Sequence, residues 1–126
     1  MSRKVGDGMR QILFKAKRVD NGEWIEGYYF YNPNIDKHFV HNWLSGGLVE
    51  VDSDTICQYT ELTDKNGNKI WENDVVDIKH YAENAHEVKW GYGGFHVGIN
   101  GLLCHYNTVC EVIGNVFDNA DLLKGE

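Results

Sequence analysis

Proline is nearly missing from this sequence: Pro33 is the single one in 126 residues. With 14 glycines in no regular period, that scarcity excludes a collagen-like repeat, and 42% apolar residues exclude a disordered tail. Cysteine is scarce as well. Cys57, Cys104 and Cys110 are odd in number and lack CxxC spacing, which removes a zinc ribbon and a disulfide framework and predicts a reducing, cytoplasmic setting. No apolar run approaches the roughly 18 residues of a spanning helix. The opening MSRKVGDGMR has no apolar centre, so it does not read as a secretion signal. The chain is expected to be soluble, without a membrane partner, and to form one compact unit burying roughly two-thirds of its unfolded surface.

Charge of positive sign is confined. Before Val19 the chain carries +5, with Asp7 the only acid, whereas the remainder carries −12. Such an arm suits nucleic acid, or else lets a first strand pair with acidic neighbours in its own fold or in a second subunit. The structural account is preferred, because Lys15 and Lys17 alternate with Phe14 and Ala16 as a half-buried strand requires. Met9 suits a chain start, so residues 1–8 read as a leader or an expression remnant.

What is present is β-strand patterning broken by turns. ILFKAKRV alternates apolar and basic residues, and DNGE follows, with Asn21 and Gly22 able to supply both centres of a type I′ turn. Residues 12–31 therefore predict a hairpin returning through WIEGYYFY. NPNIDK is a loop with Pro33 ending the strand, and HFVHNWL and LVEV flank SGG as a second hairpin. DKNGNK places Asn66 and Gly67 at positions of positive φ, and WEND makes a tight corner before VVDI. HEVKW, FHVGI, LLCHY and VCEVIGNVF read as further strands. The C-terminal DNADLLKGE alone reads as helix, with Asn119 as N-cap and Leu122 and Leu123 docking it. The fold class expected is all-β (mainly β), barrel or sandwich, with a short C-terminal helix.

TICQYTELTDKNGNKIWENDVVDI, together with RVDNGEWIEGYY and EVIGNVFDNADLL, resembles the YopX family of phage and prophage proteins over nearly the whole chain, from about Met9 to Leu123. Cys57 and Glu61 stand where that family usually has glycine. Asn73 replaces its corner glycine, a position asparagine tolerates, and Ala120 stands where proline often opens the helix. The resemblance implies an N-terminal β-hairpin subdomain over 9–57, a small SH3-like barrel over 58–117 and a helix and tail over 118–126. Ile70, Val75 and Ile78 would then be core. It implies a phage- or prophage-encoded accessory protein in the cytoplasm of a bacterial host, and it implies no established activity.

Residues able to carry chemistry lack the spacing for it. His38 and His41 fall on opposite faces of a strand, as do Cys104 and His105, which leaves no metal set even with Cys110 nearby. A cysteine nucleophile needs an oriented histidine that no local motif supplies. Asp52 with Asp54, and Asp74 with Asp77, could hold Mg²⁺, but both pairs sit at turns they can hydrogen-bond themselves. No catalytic residue, metal or cofactor is expected. Trp24, Trp43, Trp71 and Trp90 are mostly core, whereas the four aromatics Tyr28 to Tyr31 cannot all face one core and so point to a second interface. The binding residues expected are Tyr29, Tyr31, Tyr59, Trp71 and Asp74. The preferred reading is an uncharacterised accessory protein acting through protein–protein contacts, with an unknown protein partner or a second copy in a homo-oligomer. The alternative is a nucleic-acid-binding module using the basic N-terminal strand and barrel aromatics. A small metal-dependent or cysteine hydrolase comes third.

Overall fold

A computed structural model describes residues 12–42, 44, 46–78, 85–91, 93–97 and 101–123. Residues 1–8, Trp43, Ser45, the 80–84 loop and Asn100 from the sequence reading lie outside that set. The chain is mainly β, with eleven strands among the described residues in two antiparallel sheets. It divides into two units, Met1–Tyr59 and Thr60–Glu126. No described helix is long and apolar enough to cross a membrane.

The first unit holds β1 (Phe14–Lys17), β2 (Trp24–Asn32), β3 (Lys37–Asn42), β4 (Gly47–Val51) and the start of β5 (Cys57–Thr63), in the sheet order β4-β3-β2-β1-β5. The hairpin expected over 12–31 is there, paired Phe14 with Gly27 through Lys17 with Trp24. Its turn differs from expectation. Only Gly22 has positive φ, at 75°; Arg18 N–H bonds Glu23 O at 2.9 Å, closing a four-residue loop, and the Asn21 carboxamide instead accepts the Glu23 N–H at 2.9 Å. Asparagine spends its side chain on a local bond here rather than adopting the left-handed region. The sheet curls strongly: Arg18 bridges Val51, Val19 N–H donates to Glu50 O and Asp52 N–H donates to Lys17 O. Ala16, Ile25, Val40 and Val51 fill the concave side, with Val49 and Ile56 against them.

In the second unit β5 continues to Thr63, beside β6 (Lys69–Trp71). The second sheet follows with β7 (Asp74–Ile78), β8 (Ala85–Gly91), β9 (Gly94–Val97), β10 (Gly101–Leu102) and β11 (Cys110–Asn115), ordered β10-β9-β8-β7-β11. Ile70, Val76, Ile78, Val88, Val97, Leu103 and Cys110 form its core. This second sheet does not close on itself in the described pairing, where a small SH3-like barrel is expected. The LLCHY strand is also shorter than read: Leu103–His105 and Asn107–Val109 are 3-10 turns that swing Leu103 fully inward. The C-terminal helix is a single 3-10 turn, Ala120–Leu123; the Asn119 side chain accepts from Asn115 N–H at 3.2 Å, back toward β11, instead of capping forward.

The turns of this unit rest on side chains. At the DKNGNK turn Gly67 alone is left-handed, at φ 84°, while Asn73 holds the WEND corner at φ 72°. Glu61, inside β5, also has positive φ, at 70°. Next to it the Thr60 hydroxyl donates to Ile70 O at 2.7 Å and accepts from Leu62 N–H, bridging the irregularity. A non-glycine residue in that region costs roughly 1–2 kcal/mol, partly offset by the entropy glycine loses on folding. Glu61→Gly is therefore expected to stabilise the protein by about 0.5–1 kcal/mol, read as a higher urea midpoint at unchanged slope.

Candidate functional site

Alternation along β2 sorts its aromatics by side. Ile25, Tyr29 and Tyr31 share the concave side with their cross-strand partners Ala16, Val40 and His38. There the rings form a stack. Phe14 and Tyr29 lie 5.5 Å apart, the Tyr29 and His38 rings are nearly parallel, and Tyr31 and His38 are 4.6 Å apart. The Tyr29 hydroxyl and His38 Nδ1 share a 2.6 Å hydrogen bond, and the Tyr31 hydroxyl donates to Asp36 Oδ1 at 2.8 Å. That bond to a carboxylate raises the Tyr31 phenol above the ordinary tyrosine range.

The other side of the same strands faces outward. Register sets Tyr28, His41 and Leu48 in one row and Phe30, Phe39 and Glu50 in the next. Tyr28 is 53%, Phe30 46% and Leu48 55% exposed, so three large apolar side chains lie uncovered within two strand rows. Phe30 and Phe39 touch through tilted rings 6.3 Å apart. Further along this side, Lys15 and Lys17 lie over the Trp24 ring at 4.6 and 5.5 Å, and Lys37 pairs with Glu50 at 3.6 Å. A cluster of this kind, apolar in the middle and charged at its margin, has the anatomy of a protein-docking surface.

Gly27 lets these strands come together. A Cβ there would lie 2.1 Å from His41 O and 2.9 Å from Val40 Cγ1, so β3 can close on β2 only over glycine. β1 pairing ends at Gly27 and β3 pairing begins at Tyr28.

The structure separates the residues expected to bind. Tyr31 is exposed and Tyr29 half-buried, both on the concave side of the first sheet, while Tyr59 is buried. Trp71 and Asp74 are also buried, and the Asp74 carboxylate accepts the Trp71 N–H at 2.8 Å, fastening their shared corner. Phe39 and Leu48 were not in the expected set, and Phe30 only through the two-faced run Tyr28 to Tyr31. The signal for Phe39 and Leu48 was the HFVHNWL–LVEV hairpin, whose register carries them to the side opposite Val40.

The residues considered for chemistry are held apart or spent on the fold. His38 and His41 lie on opposite sheet faces, through partners Tyr31 and Tyr28. Asp52 accepts the Asp54 N–H at 3.0 Å, capping a 3-10 turn. Cys104 and His105 are exposed in a 3-10 turn, not on a strand. Cys110 is buried, and burial together with the Asp64 carboxylate pushes its thiol up to about 11, away from the thiolate a nucleophile needs. Among the described residues no group of three or more His, Cys, Asp or Glu side chains could hold a metal ion.

A family model described as YopX protein matches residues 13–124. Among solved structures, the crystal structure of protein EF1440 from Enterococcus faecalis is similar, with a TM-score of 0.60 at 25% identity, covering 92% of this chain and 100% of that one. No curated protein matches.

Proposed function

The chain belongs to the YopX family, and from that premise we propose that it is a phage- or prophage-encoded accessory protein that works by binding another protein through the outer side of β2, β3 and β4. The observation that carries this reading is the uncovered group Tyr28, Phe30 and Leu48, seated on a paired sheet rather than on a loop. A rigid platform binds without first losing loop entropy. The role proposed is one of binding, not catalysis: Asp52 and Asp74 hydrogen-bond their own turns and Cys110 is buried.

In the second unit the same reading includes an SH3-like arrangement whose gap beside β11 is bridged by the β5–β6 turn. Lys65 N–H donates to Cys110 O at 3.0 Å, as a neighbouring strand would, and Val112 N–H donates to the Asp64 carboxylate at 2.9 Å, a side chain standing in for a strand carbonyl.

The test is affinity purification of the tagged chain from the producing cell, beside a Phe30→Ser/Leu48→Ser variant. Truncating central apolar anchors costs an interface about 2 kcal/mol or more, roughly thirtyfold in affinity. The partner recovered with the parent chain is expected to be lost from the variant while the thermal melt of the variant stays within about 2 °C of the parent. Equal recovery by both chains would refute the reading.

A further inference from the structure

We propose that the outer face receives an extended segment of a different protein, which adds itself as a short antiparallel strand along the free edge of β4 at Leu48. This rests on the reading of the face as a protein-docking surface and adds the backbone form of what docks there and where it enters.

β4 has β3 on one side, and its other edge is answered unevenly. On either flank of the antiparallel Arg18–Val51 bridge, Val19 N–H donates to Glu50 O at 3.1 Å and Asp52 N–H donates to Lys17 O at 2.8 Å. Glu50 therefore turns its backbone groups to this edge, and alternation turns those of Leu48 the same way. The chain that meets Glu50 then leaves it. Gly22 N–H donates to Arg18 O, and the Arg18 guanidinium forks onto the Asp20 carboxylate at 2.9 and 2.7 Å, as the chain folds back into β2. Among the described residues nothing meets the Leu48 N–H and C=O or the Glu50 N–H.

The gap left behind has a shape. Arg18, Val19, Asp20, Leu48, Val49 and Glu50 line a groove of about 400 Å³, and a Cβ at Gly46 or Gly47, next along the edge, would touch nothing. Residues opposite one another across a ladder share a side. Val19 thus ends the row Phe30, Phe39 and Glu50, whereas the row Tyr28, His41 and Leu48 has no fourth member. A residue of an added strand opposite Leu48 would complete that row. It would exchange two backbone bonds with Leu48 and lay a large apolar side chain beside Leu48 and Val19, which are 55% and 54% exposed. In such pairing the backbone supplies affinity and the alternate side chains supply choice.

Val19 also fixes where the strand begins. In the antiparallel register, the residue two before the one opposite Leu48 would fall opposite Glu50, on the place Val19 holds. The segment must therefore start or turn aside there, as a free N-terminus or the residue after a turn does. The same obstacle bars β4 from pairing with β4 of a second copy about a two-fold at Leu48, since Gly46 of each copy would be driven onto Val19 of the other.

The experiment selects peptides from a displayed library of random linear sequences with free N-termini on the immobilised full chain. Each selected peptide is then remade with one backbone nitrogen methylated at a time and measured in solution against the parent chain and Phe30→Ser/Leu48→Ser, with Tyr28→Ser in its place if that variant melts early. The proposal expects a large apolar residue near the N-terminus of the enriched peptides. Methylation of that residue's nitrogen, whose N–H faces β4, is expected to weaken binding at least about tenfold, and methylation of its immediate neighbours to weaken it little. Amide exchange at Leu48 and Glu50 is expected to slow at least about tenfold when the peptide binds. Peptides that need Phe30 and Leu48 but show no alternation under methylation, with exchange at Leu48 unchanged, would overturn the added strand and leave the docking face standing. Peptides that bind the face variant as well as the parent, or no enrichment at all, would overturn both. A dimer in light scattering, with Leu48 exchange slowed in the absence of any peptide, would overturn the proposal in favour of a second copy of the chain.

Discussion

Replacing Asp64 by asparagine is expected to destabilise the protein by about 3 kcal/mol or more, the cost of breaking charge-assisted hydrogen bonds inside a core. Asp64 is 5% exposed. Its Oδ1 accepts the N–H groups of Asn66 and Asn68, both at 2.9 Å, and its Oδ2 accepts the Val112 N–H at 2.9 Å from 48 residues away. One carboxylate thus builds the DKNG turn and fastens it to β11. Asparagine can keep the turn pair through its one oxygen, but its amide would then face the Val112 N–H, donor against donor. On the thermal scale the loss corresponds to about 10 °C or more.

The same group makes stability depend on pH. Burial alone would raise its pKa, but the hydrogen bonds from Val112, Asn68 and Asn66 outweigh it and hold the carboxyl below the ordinary aspartate value. The folded pKa therefore lies below the unfolded one. The stabilisation from Asp64 is fully present above the unfolded value near about 4 and is lost as pH falls toward the folded value. Urea titrations of parent and Asp64→Asn across that range should show the gap between them narrowing as the pH drops. A gap that widens toward acid would contradict the assignment.

The second large effect is expected at Gly27. Its backbone is not in the left-handed region, so Gly27→Ala acts by contact alone. The new methyl would overlap the carbonyl of His41, a main-chain group that cannot rotate away as a side chain can. About 3 kcal/mol or more is expected to be lost, and the loss should concentrate in the first unit. Amide exchange of residues 28–32 should rise well above that of β7, and binding through the outer face should fail with it, since Tyr28 and Phe30 keep their register only while β3 lies on β2. Exchange that accelerated evenly in both units would contradict this account of the glycine.

How much of this could be read from the chain varies by element. The β1–β2 and β3–β4 hairpins follow from period-two alternation and from punctuation at Asn21-Gly22 and Gly46-Gly47, and the Asn73 corner follows from the tolerance of asparagine for positive φ. Glu61 could not be foreseen as left-handed from its own chemistry; only the comparison with a glycine at that place in the family raised the question. LLCHY misled because a strand and a 3-10 turn both bury one Leu in a short apolar run. The four aromatics Tyr28 to Tyr31 did signal two faces. Which pair would turn to the concave side depended on pairing with Val40 and His38, partners that periodicity alone does not name. Trp71 and Asp74 were expected among the binding residues, yet both are buried, and the Asp74 carboxylate is spent on its own corner, as its place at a turn had allowed.

The most direct test of the central claim is site-specific photo-crosslinking in the producing cell, with a benzophenone side chain replacing Phe30 in one chain and Trp90 in another. Trp90, 59% exposed beside Phe95 on the β8–β9 hairpin, is the control for mere exposure of an aromatic. The account predicts a discrete protein adduct from position 30 and none from position 90. Adducts from position 90 alone, or none from either, would contradict it.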